Sequence, residues 1–338
     1  LFKGEIKGTG PRYCPSIEDK IVKFGDKDGH RIYLEPEGIN TDEWYINGLS
    51  TSLPFDIQKK VLESIPGLEK AHIIRPAYAV EYDFAYPTQL SLTLESKILG
   101  SLFFAGQING SSGYEEAAAQ GLVAGINAAN KSLDLPPIVF GRELGYIGVL
   151  IDDLTIKGVT EPYRMFTSRA EYRLLFNHGS AELRYLNSIQ NTNLLSKNRK
   201  SRISQKTHSV LDWVVDFNSK KVEGGKSYGD ILRMGKNCVF PIEFTKLSEE
   251  VKSEVIYRVK YQGYLNRELK SISKMKSLDN VFIPNTLDFT NVPGLRTESA
   301  EKLLFHRPDT IGQASRIPGV NPSDVNVLSV MIKQHNEQ

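Results

Sequence analysis

The sequence predicts an α/β region built on an incomplete Rossmann-type nucleotide fold, followed by a mainly α-helical C-terminal domain. Three observations carry this expectation. Short apolar or alternating runs, punctuated by Gly and Pro, dominate up to about Asp153. Between Ser101 and Ala129 an apolar run enters a Gly-rich loop and then a helix rich in small residues. Beyond about Tyr185 the balance shifts to helix formers and charge. The expected division is residues 1–153 as the α/β region, 154–230 as a connecting helical and basic region, and 231–338 as the helical domain.

Composition bounds the rest. With 338 residues, 40% apolar and 24% charged, the chain is long enough for two domains and has the make-up of a globular protein. No run of eighteen apolar residues and no signal peptide is present, so no membrane partner is expected and a cytoplasmic compartment is the default. Cys14 and Cys238 lie far apart and form no CxxC pair, which supports neither a disulfide framework nor a zinc site and weakens a thiol oxidoreductase reading. A net charge of +2 does not by itself point to a polyanion. Locally, however, Arg164, Arg169, Arg173 and Arg184 precede Lys197, Arg199, Lys200 and Arg202 while acids thin out, which fits either a solvated basic face or a nucleic-acid footprint.

Taken in order, Ile21–Phe24, Ile32–Glu35 and Leu102–Ala105 read as short strands, and a helix is expected to start at Ser16 with Glu18 and Asp19 in its first turn. Gly8-Thr9-Gly10 is followed by Pro11-Arg12-Tyr13, so no third glycine completes a dinucleotide fingerprint there. In the stretch Ser101–Ala129, Gly106, Gly110 and Gly113 let backbone amides approach a ligand, and the helix that follows directs its positive end at an anion. A tight strand-to-helix connection without ligand fits the same spacing. Ala117, Gly121, Gly125 and Ala129 leave one helix face bare, to which another backbone can pack. Asp152 and Asp153 follow the apolar run Ile147–Ile151 and are read as ending a strand.

Farther on, Ser168-Arg169-Ala170-Glu171 fits a capping box, which would place Arg169 and Arg173 on one exposed helix face with Arg164 just upstream. The Gly/Lys/Ser-rich stretch Asn218–Asp230 reads as a connection between helices. Val251, Val255 and Val259 recur every fourth residue behind Ser248, an N-cap followed by an amphipathic helix. Tyr257, Tyr261 and Tyr264, interleaved with Arg258, Lys260 and Arg267, fit a core stripe or an RNA-stacking one. Val292-Pro293-Gly294-Leu295 and Ile317-Pro318-Gly319-Val320 read as turns between short helices, either plain bundle turns or hairpins offering amides to phosphate.

Cys14 stands between Tyr13 and Pro15, beside Arg12 and just before a helix start, surroundings that favour a thiolate. Pro11 and Pro15 hold its backbone extended. A small buried residue is the alternative, and Cys238 fits that better.

Four stretches go beyond generic physics: GPRYCPSIEDKIVKF (Gly10–Phe24), FAGQINGSSGYEEAAAQGLVA (Phe104–Ala124), ELGYIGVLIDDL (Glu143–Leu154) and EPYRMFTSRAEYRL (Glu161–Leu174). Together they closely resemble the MnmG family, also called GidA, and the likeness continues through IGQASRIPG (Ile311–Gly319). The resemblance implies that the α/β region is the later part of an FAD-binding domain and that the chain is the C-terminal half of its enzyme. The family's N-terminal flavin fingerprint, a second functional cysteine and much of an inserted nicotinamide-binding domain would then precede Leu1.

What the family implies for activity is the addition of an aminomethyl or carboxymethylaminomethyl group to carbon 5 of tRNA uridine 34. FAD, NADH and methylene-tetrahydrofolate serve as cofactors and carbon donor, and the GTPase MnmE and a second copy of the chain serve as partners. The compartment would be cytoplasmic in bacteria and mitochondrial in a eukaryote. By motif match, Cys14 corresponds to a cysteine required for activity and Gln107 to an FAD contact, with Gly110 and Gly113 beside it. The stretch Gly10, Pro11, Arg12, Tyr13, Cys14, Pro15, Ser16, Ile17, Glu18, Asp19, Lys20, Ile21, Val22, Lys23 and Phe24 corresponds to a nicotinamide-dinucleotide segment. Arg164, Arg169 and Arg173 are the candidates for gripping tRNA phosphate or a cofactor, and no metal site is expected. Cys14 could add to uracil carbon 6 or act as an acid, and the sequence leaves both open. The alternative to an enzyme is a non-catalytic tRNA- or MnmE-binding fragment.

Overall fold

The structure, a computed structural model, describes residues 16–78, 82–222 and 224–336. The described residues fall into two compact units. The first takes those up to Tyr86 together with Gly106–Ala117 and Val159–Arg164; the second takes Pro87–Ala105, Ala118–Gly158 and the residues from Met165 on.

In the first unit polar contacts tie several elements in place. Helix α1 (Ile17–Lys23) buries none of its residues and is fixed at its start by a capping box, in which Ser16 accepts from the Asp19 amide and Asp19 accepts from the Ser16 amide. Glu18 accepts from the Thr51 hydroxyl at 2.5 Å and the Ser52 amide at 3.1 Å. Burial pushes the Glu18 carboxyl up, but these donors outweigh it and hold the group below its usual range. Strands β1 (Tyr33–Pro36) and β2 (Trp44–Asn47) pair antiparallel, with Tyr33 opposite Asn47. Helix α2 (Phe55–Glu63) contributes buried Gln58, whose amide nitrogen donates to the Leu53 and Ala77 carbonyls and whose oxygen accepts from the Ala77 amide.

Helix α3 (Tyr114–Ser132) starts in the first unit and continues in the second. There Val123 and Ala124 pack with Leu90, Leu94 and Ile151. Buried Asn127 ties the following extended segment back, exchanging hydrogen bonds of 2.8 and 3.0 Å with Ile138. Helix α4 (Tyr146–Asp152) runs on as a π-helical turn, Asp153–Lys157, which Gly158 ends at φ 72°.

Helices α5 (Ala181–Ile189), α6 (Lys197–Ser219), α7 (Tyr228–Arg233), α8 (Ile242–Thr245) and α9 (Glu249–Lys260) share one core. Phe217 sits among Tyr228, Phe240 and Phe244 at centroid distances of 4.6–5.7 Å. Ser248 caps α9, and Val251, Val255 and Val259 are its buried face, as the fourfold spacing predicts. Helix α10 (Gln262–Asp279) leads to α11 (Thr297–His306), α12 (Ile311–Arg316) and α13 (Pro322–Asn336). Their core gathers Leu303, Ile311, Ala314, Leu328 and Ile332, and Ile156 of the π turn enters it.

The helical second region is as expected, and the strand expected at Ile32–Glu35 exists as β1. Other expectations are corrected. Ile21–Phe24 belongs to α1 and its C-cap, because the Ser16 capping box outweighs four residues of apolar alternation. Leu102–Ala105 makes only the isolated bridge from Phe103 to Glu95. Ile147–Ile151 is helical, an apolar run that periodicity cannot separate from a buried strand. Residues Thr167–Arg169 form a 3-10 turn with Ala170 extended, so no α-helix joins Arg169 to Arg173. Beyond the helix's own backbone nothing lies within 4 Å of a Cβ placed at Gly121 or Gly125, so no other segment of the described residues packs on α3 at these two positions, while Ala117 on the same face lies 3.5 Å from a Cβ placed at Gly106.

Candidate functional site

The Gly-rich loop folds as two left-handed glycines around a 3-10 turn: Gly106 at φ 88°, Gln107–Asn109, then Gly110 at φ 79°. The turn is held from several sides. The Ala85 amide donates to the Ile108 carbonyl at 2.7 Å, the Tyr163 amide to Gly110 at 2.8 Å, and the Ser112 amide to Tyr163 at 3.1 Å. The Gln107 side-chain amide donates to the Asp83 carbonyl. These ties shape a partly open pocket lined by Tyr82, Phe84, Gln107, Gly110, Ser111 and the segment Val159, Thr160, Glu161 and Pro162, with a volume of about 30 Å³. A Cβ at Gly110 would come within 2.6 Å of Val159 Cγ2, so the wall tolerates only glycine there. Gly113 serves a different neighbour. Its Cβ position lies 1.7 Å from Arg164 Nη1 and 1.8 Å from Glu116 Oε2, an ion pair 3.2 Å long that fills the space.

The structure places Gln107 and Gly110 in the pocket wall and Gly113 against Arg164, and neither of the latter two is among the residues that line the pocket. Gly10, Pro11, Arg12, Tyr13, Cys14 and Pro15 lie outside the described residues. The remainder of that stretch, Ser16 to Phe24, is helix α1 with its caps, and none of it lines the pocket. In the second unit Arg169, 31% exposed, lies 4.0 Å from Asp153 and 5.8 Å over the Phe166 ring. Arg173 is exposed on a turn. The expected basic cluster is only partly solvent-facing. Arg184 donates to the carbonyls of Leu144 and Leu175 at 2.7 and 2.6 Å, and Arg199 pairs with Glu182.

Sequence reasoning missed a buried charge cluster in the second unit. Arg142, 5% exposed, donates to Asp152 at 3.0 Å, Asp153 at 2.8 Å and Glu171 at 2.8 Å. Arg316 of α12, 8% exposed, reaches Asp152 at 2.9 Å and Asp279 of α10 at 3.0 Å, and Lys157 reaches Asp153 at 2.8 Å. Burial pushes the Asp152 carboxyl up against the pull of Arg316 and Arg142. At Asp153 burial acts in the same sense, but Arg142 and Lys157 prevail and the group sits below the usual carboxylate range. The available signal was two adjacent acids at the end of a wholly apolar run, a position where charges are buried only if paired.

Comparison with known proteins bears on the whole chain. A family profile described as "Glucose inhibited division protein A" matches residues 1–136, and one described as "tRNA modifying enzyme MnmG/GidA C-terminal helical bundle" matches residues 271–338. Over an alignment 358 positions long the chain is 46% identical to the tRNA uridine 5-carboxymethylaminomethyl modification enzyme MnmG of Bacillus cereus, covering 99% of this chain and 57% of that protein. This chain belongs to the MnmG family.

The MnmG of Exiguobacterium sibiricum is 47% identical over 357 residues with the same coverage. Among solved structures, GidA of Aquifex aeolicus in its form II crystal superposes with a TM-score of 0.79 at 46% identity, covering 95% of this chain and 55% of that one. The form I crystal gives 0.78 at 47%. The chain thus spans little more than half the length of the MnmG relatives it matches. Among the described residues no helix is long and apolar enough to cross a membrane.

Proposed function

We propose that this chain takes part in modifying carbon 5 of the wobble uridine, U34, of tRNA, as part of an FAD-dependent enzyme of the relatives' length. The observation that carries this is the 46% identity to MnmG spread over 99% of the chain. The finer features implied by the resemblance belong to the same proposal: NADH as reductant, methylene-tetrahydrofolate as carbon donor, MnmE and a second copy as partners, and a cytoplasmic setting in bacteria.

The pocket beside Gln107 fits an edge of a flavin. It offers aromatic walls, a side-chain amide and a left-handed glycine loop that leads into the 19-residue helix α3, whose N-terminus favours a phosphate. Its volume of about 30 Å³ is far below the roughly 300 Å³ of a pocket that surrounds a ligand, so it touches such a group without surrounding it. Gln107 and Gly110 would hold the flavin, while Gly113 makes room for the Arg164–Glu116 pair. Bound flavin supplies redox chemistry. Cys14 would supply the thiol: added to carbon 6 of uracil as thiolate it makes carbon 5 nucleophilic, and as an acid it would return a proton.

The test is Cys14→Ser in an enzyme of the relatives' length carrying this sequence. Uridine modification, read by mass spectrometry of digested tRNA, is expected to fall at least about 100-fold, with flavin absorbance and tRNA affinity unchanged and Cys238→Ser active. Full activity of Cys14→Ser would remove the thiol from the mechanism.

A further inference from the structure

Helix α10 is two-sided in charge. Its inner face is accounted for: Leu265 and Ile272 are buried, and Glu268 accepts from the Leu174 and Leu175 amides at 3.4 and 3.0 Å. Lys276 pairs with Glu143 at 2.9 Å and Asp279 with Arg316. On the opposite side Arg267, Lys270 and Lys274 are exposed, and at 3.6 residues per turn they fall within an arc of about 60° spanning about 10 Å of helix axis. Of the helix's two carboxylates, Glu268 accepts from backbone amides and Asp279 pairs with Arg316, so no acid of α10 itself offsets this strip. Among the described residues none of the three cations has an ion-pair partner. At the strip's edge Tyr264 is 55% exposed, and the Arg267 guanidinium lies 4.8 Å over its ring.

We propose that this face of α10 binds the sugar-phosphate backbone of RNA, with Tyr264 and Arg267 forming a planar platform for a base. Cations at successive turns follow an anionic strand, and an aromatic ring beside an arginine is the arrangement that stacks unpaired bases. An acidic protein surface would be met by the same charges but would leave the exposed ring without a role. The proposal rests on the tRNA reading above, places a contact surface well apart in sequence from Arg164, Arg169 and Arg173, and gives the tyrosine stripe a divided role. Tyr257 is turned inward, its hydroxyl donating to the Leu174 carbonyl at 2.6 Å, while Tyr264 is turned outward.

The experiment titrates an unmodified tRNA transcript against the 338-residue chain over a range of salt concentrations, for wild type, R267Q/K270Q/K274Q, K270R/K274R and Y264A. Each phosphate contact contributes about 0.7–0.9 to the slope of log affinity against log salt, so the triple variant is expected to lose about two to three units of slope and roughly tenfold or more in affinity near 0.1 M salt. The arginine variant keeps the wild-type slope, and Tyr264→Ala weakens binding of a single-stranded poly(U) probe at unchanged slope. Equal thermal midpoints exclude a folding effect. Wild-type slope and affinity in the triple variant overturn the proposal; if R169Q/R173Q then shows the loss instead, the tRNA reading stands without this surface. Absence of tRNA binding by the wild type overturns both. An equal loss of polyglutamate binding in the triple variant overturns the assignment to RNA.

Discussion

A Cβ at position 148 would lie 2.1 Å from the Gly141 carbonyl oxygen and 2.7 Å from that of Phe140, so α4 packs there against backbone that cannot rotate away. At Gly121 of α3 the same atom would meet nothing within 4 Å, and the glycine only loosens the helix. Gly148→Ala is therefore expected to destabilise by about 3 kcal/mol or more, through forced displacement of packed backbone. Gly121→Ala should stabilise by about 0.5–1 kcal/mol, by removing glycine's entropy cost in a helix interior. Urea unfolding of both variants checks the pair; equal midpoints would show that α4 does not pack as described. From sequence alone the two glycines look alike, because each sits in an apolar, small-residue context. What separates them is which other segment returns to cover the position, information held by residues elsewhere in the chain.

Within the last helices, Asp324 of α13 is 2% exposed and accepts from Arg296 at 2.7 Å, from Ser299 of α11 at 2.8 Å and from the Asn321 amide at 2.9 Å. Chiefly through Arg296, these donors hold its carboxyl well below the usual range against the effect of burial. A depressed folded-state pKa stabilises above the unfolded value and is lost as protons bind, so this contribution is complete above about pH 4 and fades as pH falls below it. Asp324→Asn should lower the thermal midpoint at pH 7 and flatten the acid side of the stability profile. An unchanged acid limb in differential scanning calorimetry would remove Asp324 from that role. Elements whose signals are local were legible beforehand: the Ser248 cap and the valine spacing of α9, the Ser16 helix start, and the turns at Gly294 and Gly319, both with left-handed glycine. Illegible elements were those decided at a distance. Ile147–Ile151 is helical, with Ile147 and Ile151 packed on Leu90, Leu94 and Val123 and Val149 on Ala170, Tyr172 and Phe176, and the Ser168 capping pattern yields only a 3-10 turn.

For the whole molecule, the pocket volume bears on how the isolated chain meets a flavin. A flavin needs a site of roughly 300 Å³ or more to be mostly enclosed, about ten times what Gln107 and its neighbours provide. The isolated chain is expected to bind FAD more weakly than about 1 µM, measured by quenching of flavin fluorescence; a stoichiometric yellow complex after purification would show that these residues suffice. The candidate site itself was half legible. The Gly-rich loop and Gln107 stood out by motif, as did Glu161 and Pro162, whereas Val159 and Thr160 belong to no motif and line the pocket beside the pairing of Tyr163 with Gly110 and Ser112.

The cluster of Arg142, Asp152, Asp153 and Arg316 also constrains how this sequence can change over time. Removing one member leaves the others as buried charges short of a partner, at a cost of about 3–5 kcal/mol, whereas replacing a whole set with apolar residues can be nearly neutral. Tolerated substitutions at these sites must then arrive in company. Asp152 and Arg316, 164 positions apart, are therefore expected to change together, and a variant at one is readable only with the residue at the other in hand.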